Sequence, residues 1–232
     1  MIGQLEAVLF DVDGTLYHQP PLRAFMACEL GWSSLAKGPV RASRDLRILK
    51  TFRTERERLR SLGQASAPLA LAQYVRAGES AGVGDAEVRA LVEEWIFRRP
   101  LKYLGRVKRR GCREALSAIV GMGLKVGVFS DYPTAEKVAA LGLTDLVSLQ
   151  LCATDVEINA FKPHPAGFRE ACRRWDVPPH RVAYVGDRVD VDVLGAQAAG
   201  MQPIVIGRRS ADGFSGLRSF AALAPLVSGR RE

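Results

Sequence analysis

Two aspartates separated by one residue, Asp11 and Asp13, come directly after a short apolar run near the start of the chain. Gly14 and Thr15 follow them, so the pair is succeeded by a residue that bends the chain and by a hydroxyl group. One carboxylate can attack phosphorus and bind a metal ion, while the other can donate and accept a proton. The spacing therefore indicates magnesium-assisted phosphoryl transfer. An ordinary Asp-Gly turn after a strand is the structural alternative.

Three further polar residues lie next to patterns that predict regular structure. Ser130 and Asp187 each follow an apolar run with the length of a buried strand, and Lys162 comes just before a helical pattern. The carboxyl ends of parallel strands meet at one edge of a sheet. We therefore expect these side chains to gather around the first pair of aspartates, where they could bind a cation and a phosphoryl group.

Each of these residues also has an ordinary structural interpretation. Ser130 and Asp187 are of types that form turns at strand ends. Lys162 precedes a proline, and a lysine in such an extended dipeptide usually faces solvent. Asp190 can cap the helix that follows it. Their joint occurrence at the ends of successive strand-helix units favours the functional interpretation.

The elements that must position these residues form an α/β pattern with one interruption. After a strand at 7–10, the segment 17–104 has helical periodicity and almost no strand pattern. Helices are expected there at 22–36, 41–60, 68–79 and 85–98. Strand and helix patterns then alternate, which predicts a doubly wound, mainly parallel, Rossmann-like α/β sheet. We predict a core domain formed by residues 1–16 and 105–232, with an inserted α-helical cap domain at 17–104.

The composition is that of a globular protein with an anionic partner. The 232 residues are 47% hydrophobic and carry a formal charge of +8. No apolar stretch approaches the roughly 18 residues of a membrane span, and no basic segment precedes the first apolar run. We therefore expect a cytoplasmic protein with no membrane partner. The four cysteines are far apart, which is typical of packing residues.

A basic stretch at 41–60 carries a formal charge of +5 within the predicted cap. This pattern is typical of a solvated helix face with charge pairs one turn apart. Attraction of an anionic substrate and binding of nucleic acid are the alternatives. Phe52 is the aromatic residue among these arginines, and it falls on the apolar stripe of the helix. Stacking on bases is therefore not indicated, and we do not expect a nucleic-acid partner.

Together these motifs resemble those of the haloacid dehalogenase (HAD) superfamily, in particular the phosphoglycolate-phosphatase-like branch of its magnesium-dependent phosphatases. The four family motifs are matched in order by Asp11-Val12-Asp13-Gly14-Thr15, Ser130, Lys162-Pro163, and Gly186-Asp187 followed by Asp192. The helical insertion between the first two motifs is similar to the family's cap. The resemblance implies Mg²⁺-dependent hydrolysis of a small-molecule phosphomonoester.

The resemblance also implies a role for each site residue. Asp11 would be the nucleophile that forms an aspartyl phosphate, and Asp13 would be the general acid and base. The implied Mg²⁺ ligands are Asp11, the backbone carbonyl of Asp13, and Asp187. Support for these ligands would come from Asp192 and Asp190. The transferring phosphoryl group would be bound by Thr15, Ser130 and Lys162.

One departure and several alternatives accompany this interpretation. Asp131 stands where many relatives have asparagine, so its charge must point away from the phosphate or pair with a cation.

A phosphomutase shares all four motifs and remains open. A receiver domain of about half this length fits poorly, and a basic nucleic-acid-binding protein with a vestigial phosphatase core would use the stretch 41–60. Carbon-halogen cleavage is not expected, because the dehalogenases do not carry the second aspartate, Asp13. No sequence feature indicates the particular ester or an oligomeric state.

Overall fold

The computed structural model describes residues 4–63, 65, 67–207 and 214–229, and its central feature is a six-stranded sheet. The strands are β1 (Ala7–Phe10), β2 (Lys125–Ser130), β3 (Leu149–Cys152), β4 (Val182–Gly186), β5 (Gln202–Ile206) and β6 (Ser215–Leu217). They lie in the order β3-β2-β1-β4-β5-β6, and every neighbouring pair is parallel. The predicted doubly wound α/β sheet is confirmed, and the carboxyl end of β1 lies between those of β2 and β4.

Five α-helices lie between residues 17 and 107 in the part of the chain that the structure describes. They are α1 (Gln19–Lys37), α2 (Pro39–Ser61), α3 (Leu69–Ala81), α4 (Asp85–Val92) and α5 (Arg99–Val107). A π-helical segment, Glu93–Arg98, joins the last two. Helices α2, α3 and α4 and the π-helical segment share an apolar cluster in which Phe52, Tyr74 and Trp95 are the large side chains. We call α1–α5 the cap helices.

The remaining helices are α6 (Cys112–Gly121), α7 (Ala135–Ala140), α8 (Ala166–Trp175), α9 (Leu194–Ala199) and α10 (Leu223–Val227). They cover the two faces of the sheet. Successive side chains of a strand point to opposite faces, so a strand can pack against helices on both sides. Val8 and Phe10 of β1 pack in one apolar cluster with α6, α7 and α10. Ala7 and Leu9 pack in the other with α8 and α9.

The chain passes between the sheet and the cap helices at two adjacent points. Tyr17 and Lys108 form an antiparallel bridge there. The His18 N–H donates to the Val107 carbonyl at 2.9 Å, which ties the start of α1 to the end of α5. Helix α5 ends at Val107, whereas we predicted the cap to end at residue 104.

Several elements differ from the sequence prediction. The helix expected at 85–98 is α-helical only to Val92 and then becomes π-helical, and the helix expected from Asp190 begins as a second π-helical segment, Val189–Val193. Strand β6 and helix α10 were not predicted, since they have three and five residues, too few to show a period. In the described part of the chain, no helix has the length and apolar character needed to cross a bilayer.

Candidate active site

The carboxyl ends of the three central strands hold most of the predicted site residues. Asp11 follows β1, Ser130 is the last residue of β2, and Asp187 follows β4. Lys162 reaches the same place from the loop between β3 and α8. These side chains and Asp13 line a cavity of about 1010 Å³, and most of its other lining residues belong to the cap helices. The topology thus brings together residues that are up to 176 positions apart in the sequence.

Lys162 is a buried cation that contacts two carboxylates of this site. Its Nζ donates to Asp11 Oδ1 and Asp192 Oδ1, both at 2.7 Å, and to the Tyr184 hydroxyl at 3.0 Å. Burial lowers the pKa of Lys162, but the attraction of the two carboxylates outweighs it and holds this pKa well above its usual range. The Thr15 hydroxyl donates to Asp11 Oδ2 at 2.8 Å. Both oxygens of Asp11 are therefore held in place.

The protonation of Asp11 depends on charges beyond Lys162. The pKa of Asp11 is raised to about 8, chiefly by burial, and the attraction of Lys162 offsets only part of this effect. Repulsion by Asp192, Asp13 and Asp187 contributes to the same raised value. An ionised Asp11 at neutral pH therefore needs an additional positive charge beside it.

Three carboxylates are close enough to share that charge. Asp11, Asp187 and Asp192 each offer an oxygen, and these oxygens lie within 4.8 Å of one another. Asp187 Oδ1 is buried and has no hydrogen-bond partner among the described residues. Burial, followed by the charge of Asp192, raises the pKa of Asp187. Carboxylate oxygens are the hard ligands that Mg²⁺ prefers, so this donor set fits a magnesium ion.

Two glycines allow the loops of the site to approach one another. Gly14 has a φ of +103°, and a Cβ at this position would lie 2.4 Å from Asp187 Oδ2. A Cβ at Gly186 would lie 2.4 Å from the Asp192 side chain. A larger residue at either position would push a carboxylate away from the group. Arg109 fixes the first loop by donating from Nη2 to the Gly14 carbonyl at 2.8 Å.

The two aspartates that follow Asp187 have different surroundings, although we expected both to support the metal ligands. Asp192 is buried, and its Oδ2 accepts the Arg188 N–H at 3.0 Å. The Asp190 side chain is 67% exposed and forms a 2.6 Å ion pair with Arg188. Asp190 is therefore a surface partner of Arg188 and not part of the buried carboxylate group. The helical pattern did not separate the two, because both lie in one predicted helix, whereas the fourth family motif was matched by Asp192 and not by Asp190.

Asp13 is held by a separate set of groups. Lys137 Nζ donates to its two carboxylate oxygens at 2.5 and 2.7 Å, the Ser130 hydroxyl donates at 2.9 Å, and the Tyr17 hydroxyl donates as well. Burial raises the pKa of Asp13, but the charge and hydrogen bonds of Lys137 outweigh it, so this pKa is lowered. The backbone carbonyl of Asp13 accepts from Gln19 Nε2 at 2.8 Å and keeps a second lone pair.

The charge of Asp131 is paired with helix α2. Arg60 Nη1 donates to Asp131 Oδ2 at 2.8 Å and also to the Lys162 carbonyl. Asp131 Oδ1 accepts the Lys162 N–H at 3.1 Å, and Arg56 Nη2 donates to the Asp131 carbonyl at 2.7 Å. The sequence analysis required the charge of Asp131 either to point away from the phosphate or to pair with a cation. The structure shows the second arrangement, because the Asp131 carboxylate pairs with Arg60.

The interpretation of the stretch 41–60 as a solvated face is wrong for two of its arginines. Arg56 is 3% exposed, and its guanidinium lies 3.8 Å from the ring centroid of Tyr132 and 4.6 Å from that of Phe161. The Arg60 side chain is 14% exposed. Helical periodicity could not reveal these positions, because they result from the packing of α2 against loops of the sheet.

A family model described as haloacid dehalogenase-like hydrolase matches residues 5–200 of this chain. The chain belongs to that family. The match includes all four motifs and the cap helices between the first two. It confirms the resemblance that the motifs indicated.

Individual relatives within the HAD family have named activities. The glyceraldehyde 3-phosphate phosphatase of Methanopyrus kandleri is 36% identical over 90 residues, and this match covers only 38% of each chain. The ribulose-1,5-bisphosphate 5-phosphatase of Halopiger xanaduensis is 28% identical over 213 residues, or 86% of this chain and 83% of the relative. A solved 2-haloacid dehalogenase from Pseudomonas syringae pv. tomato has a TM-score of 0.68 and 26% identity, covering 97% of this chain and 99% of that one.

Some residues of this HAD site were missed by sequence reasoning. Lys137 lies in α7, outside the four motifs, and is 5% exposed. Its only signal is its place in the first turns of a helix that begins shortly after Ser130. Tyr184 has a clearer signal in the sequence, because a tyrosine within an aliphatic buried strand must find a hydrogen-bond partner for its hydroxyl. Tyr17 lies four residues after Asp13, in the segment that we assigned to the cap.

Proposed function

We propose that this HAD hydrolase is a Mg²⁺-dependent phosphatase that cleaves a small-molecule phosphomonoester through an aspartyl phosphate on Asp11. The observation that carries the proposal is the presence of two carboxylates, the buried Asp11 and the half-buried Asp13, with different partners in one cavity. The surroundings raise the pKa of Asp11 and lower that of Asp13. In the reaction both shifts would be reversed: a cation beside Asp11 would lower its pKa and favour the ionised nucleophile, and an incoming phosphate would raise the pKa of Asp13 and favour the protonated acid.

The ligands proposed for Mg²⁺ are Asp11, Asp187 and the Asp13 carbonyl, with Asp192 beside them. The buried Asp187 oxygen without a hydrogen-bond partner supports this assignment. When bound, the ion would supply the positive charge that favours ionised Asp11 and balances the oxygens of the phosphoryl group.

In the first half-reaction, an oxygen of Asp11 attacks phosphorus and the bond between phosphorus and the ester oxygen breaks. Asp13 enters this step protonated, a form that the negative charge of the incoming phosphate favours, and gives its proton to the leaving oxygen. Thr15 holds the attacking carboxylate through its hydrogen bond to Oδ2. Lys162 and Ser130 donate to the phosphoryl oxygens as their charge spreads.

In the second half-reaction, water hydrolyses the aspartyl phosphate. Asp13, now ionised, accepts a proton from the water, whose oxygen attacks phosphorus. The bond between phosphorus and Asp11 breaks, which releases inorganic phosphate and restores the carboxylate. Lys137 and Tyr17 donate to the ionised Asp13 carboxylate and stabilise the form that this step requires.

The second aspartate favours phosphate esters over halogenated acids as substrates. Dehalogenation does not require an acid that protonates a leaving alcohol, whereas ester cleavage does. Asp13 lies at the cavity with four side-chain hydrogen bonds to its carboxylate. The names of the M. kandleri and H. xanaduensis relatives, both phosphatases, support the same choice.

The test is the release of inorganic phosphate from a panel of phosphomonoesters, with Mg²⁺ and with a chelator. We expect release that requires Mg²⁺ and that falls by at least about 10³-fold in Asp11→Asn. The matched control is Asp176→Asn, the same chemical change at an exposed residue whose left-handed backbone suits asparagine. Equal loss in the control, or release that persists in Asp11→Asn, would overturn the proposal. Isomerised product without free phosphate would indicate a mutase.

A further inference from the structure

Three arginines of the cap helices line the catalytic cavity without a carboxylate partner among the described residues. They are Arg23 of α1 and Arg53 and Arg56 of α2, and we call them the cap arginines. Arg23 donates to the neutral Gln19 side chain at 2.5 Å. Arg56 donates to the Asp131 carbonyl. Arg53 has neither a hydrogen bond nor an ion pair within the part of the chain that the structure describes.

Arg56 is the most informative of the three because it is buried. A guanidinium has five N–H donors. Among the described residues, the Arg56 guanidinium forms a single hydrogen bond, to the Asp131 carbonyl at 2.7 Å. Aromatic rings of Tyr132, Phe161 and Phe52 surround its charge, with centroids at 3.8, 4.6 and 5.6 Å. Burying a cation without an opposite charge is costly. The positive charge of Arg56 at the cavity could therefore attract an anionic group of a bound ligand.

The other cations at the cavity each have an acidic partner. These pairs are Lys137 with Asp13, Lys162 with Asp11 and Asp192, Arg60 with Asp131, and Arg188 with Asp190. The core side of the cavity thus has surplus carboxylates, which fit a metal ion. The cap side has surplus guanidinium groups, which a metal ion cannot balance.

The location of the cap arginines separates them from the groups assigned to the transferring phosphoryl group. That group is assigned to side chains of the core, whereas the cap arginines belong to α1 and α2. The remaining cap side of the cavity is largely apolar, with Leu22, Met26, Leu46 and Leu49 among its residues. The arginines are therefore the cap groups best suited to recognise a charged part of the substrate.

Resting on the proposed phosphatase function, we propose that the substrate carries a second anionic group, a carboxylate or a second phosphate, and that the cap arginines bind it. Arg53 and Arg23 are exposed at the cavity and contact the anion directly. Arg56 supplies buried positive charge behind them. Guanidinium groups suit both anions, because their N–H pairs match two oxygens at once.

Matched pairs of esters test this subsite. 3-Phosphoglycerate is compared with glycerol 1-phosphate, and 1,3-propanediol bisphosphate with 3-hydroxypropyl phosphate. We expect wild type to have a higher kcat/KM for the charged member of at least one pair, and the pair that shows this identifies carboxylate or phosphate. Arg53→Met should lower kcat/KM for that member by about tenfold or more and change the uncharged member by less than about twofold.

The matched control is Arg47→Met, which removes the same charge from an exposed position of α2 outside the cavity. It should leave both members of each pair unchanged. Equal kcat/KM for charged and uncharged members in wild type, or an equal loss for both in Arg53→Met, would overturn the subsite. The second result would mean that Arg53 acts on the transferring phosphate or on folding.

A binding measurement separates failure of the subsite from failure of the proposed function. Calorimetric titration of Asp11→Asn with the same esters requires no turnover. Tighter binding of the charged member, lost in Asp11→Asn/Arg53→Met, would support the subsite even if wild type releases no phosphate. Turnover of uncharged esters with no preference in either assay would overturn the subsite and leave the phosphatase proposal intact.

Discussion

Asp11, Asp187 and Asp192 form a group of carboxylates with more negative charge than Lys162, the buried cation that contacts two of them among the described residues, can balance. Such a group destabilises the folded protein when no other cation is bound. Proteins retain costly arrangements of this kind at functional sites, where the same charges bind a ligand. The proposed metal site should therefore be visible in stability as well as in activity.

Asp187→Asn should raise the melting temperature of the metal-free protein. A carboxyl whose pKa is raised by folding costs stability as the pH rises from its ordinary pKa through the raised one. The gain should therefore be absent at acidic pH and largest at weakly alkaline pH. Differential scanning calorimetry at both pH values, with a chelator present, measures it.

The same variant should lose the stabilisation that Mg²⁺ gives to wild type, because a ligand that binds only the folded state raises the melting temperature. Asp176→Asn serves again as the control and should keep the full shift. An Asp187→Asn protein that is still stabilised by millimolar Mg²⁺ to the same extent would contradict the assignment of Asp187 as a ligand.

The residues that the sequence could identify differ from those it could not by their distance from strand ends. Asp11, Asp13, Ser130 and Asp187 follow or end β-strands, so strand patterns alone predict that they share an edge. Arg56 reaches the same cavity from a helix, and its position depends on how that helix packs across the sheet. No spacing within the sequence encodes that packing.

At the level of elements, α2 joins the cap helices to the catalytic loops. Arg56 and Arg60, one turn apart, both donate to Asp131, and Arg60 also donates to the Lys162 carbonyl. Leu59 between them packs in an apolar cluster of the core. The last turns of α2 therefore hold the loops that carry Ser130 and Lys162.

Arg60→Met should destabilise the protein by about 2 kcal/mol, because it leaves the buried Asp131 carboxylate without its cation. Chemical denaturation measures the change. Adding Asp131→Asn should recover part of the loss, since the uncompensated charge is then removed. The control is Arg47→Met on the same helix, whose exposed side chain forms no ion pair with a described residue and which should cost less than about 1 kcal/mol. Additive effects of the Arg60 and Asp131 changes would contradict a direct ion pair.

At the level of the whole molecule, the parallel direction of the strands followed from the alternation of strand and helix patterns after residue 105. Buried strands and helices of sufficient length specify a parallel sheet with few alternatives. The sequence predicted the bounds of the elements less well. Two helical patterns contain π-helical turns, and β6 has only three residues, too few to show a period. The division into a core at 1–16 and 105–232 and a cap at 17–104 stays a prediction.

The central claim is that phosphate is transferred to Asp11 itself. Mass spectrometry of peptides from protein quenched in acid during turnover tests it most directly. We predict the mass of one added phosphoryl group on the peptide that contains Asp11, present only with substrate and Mg²⁺ and absent from Asp11→Asn. Phosphate release by the wild-type protein with no phosphorylated Asp11 peptide, or with the phosphoryl group on another residue, would contradict the account.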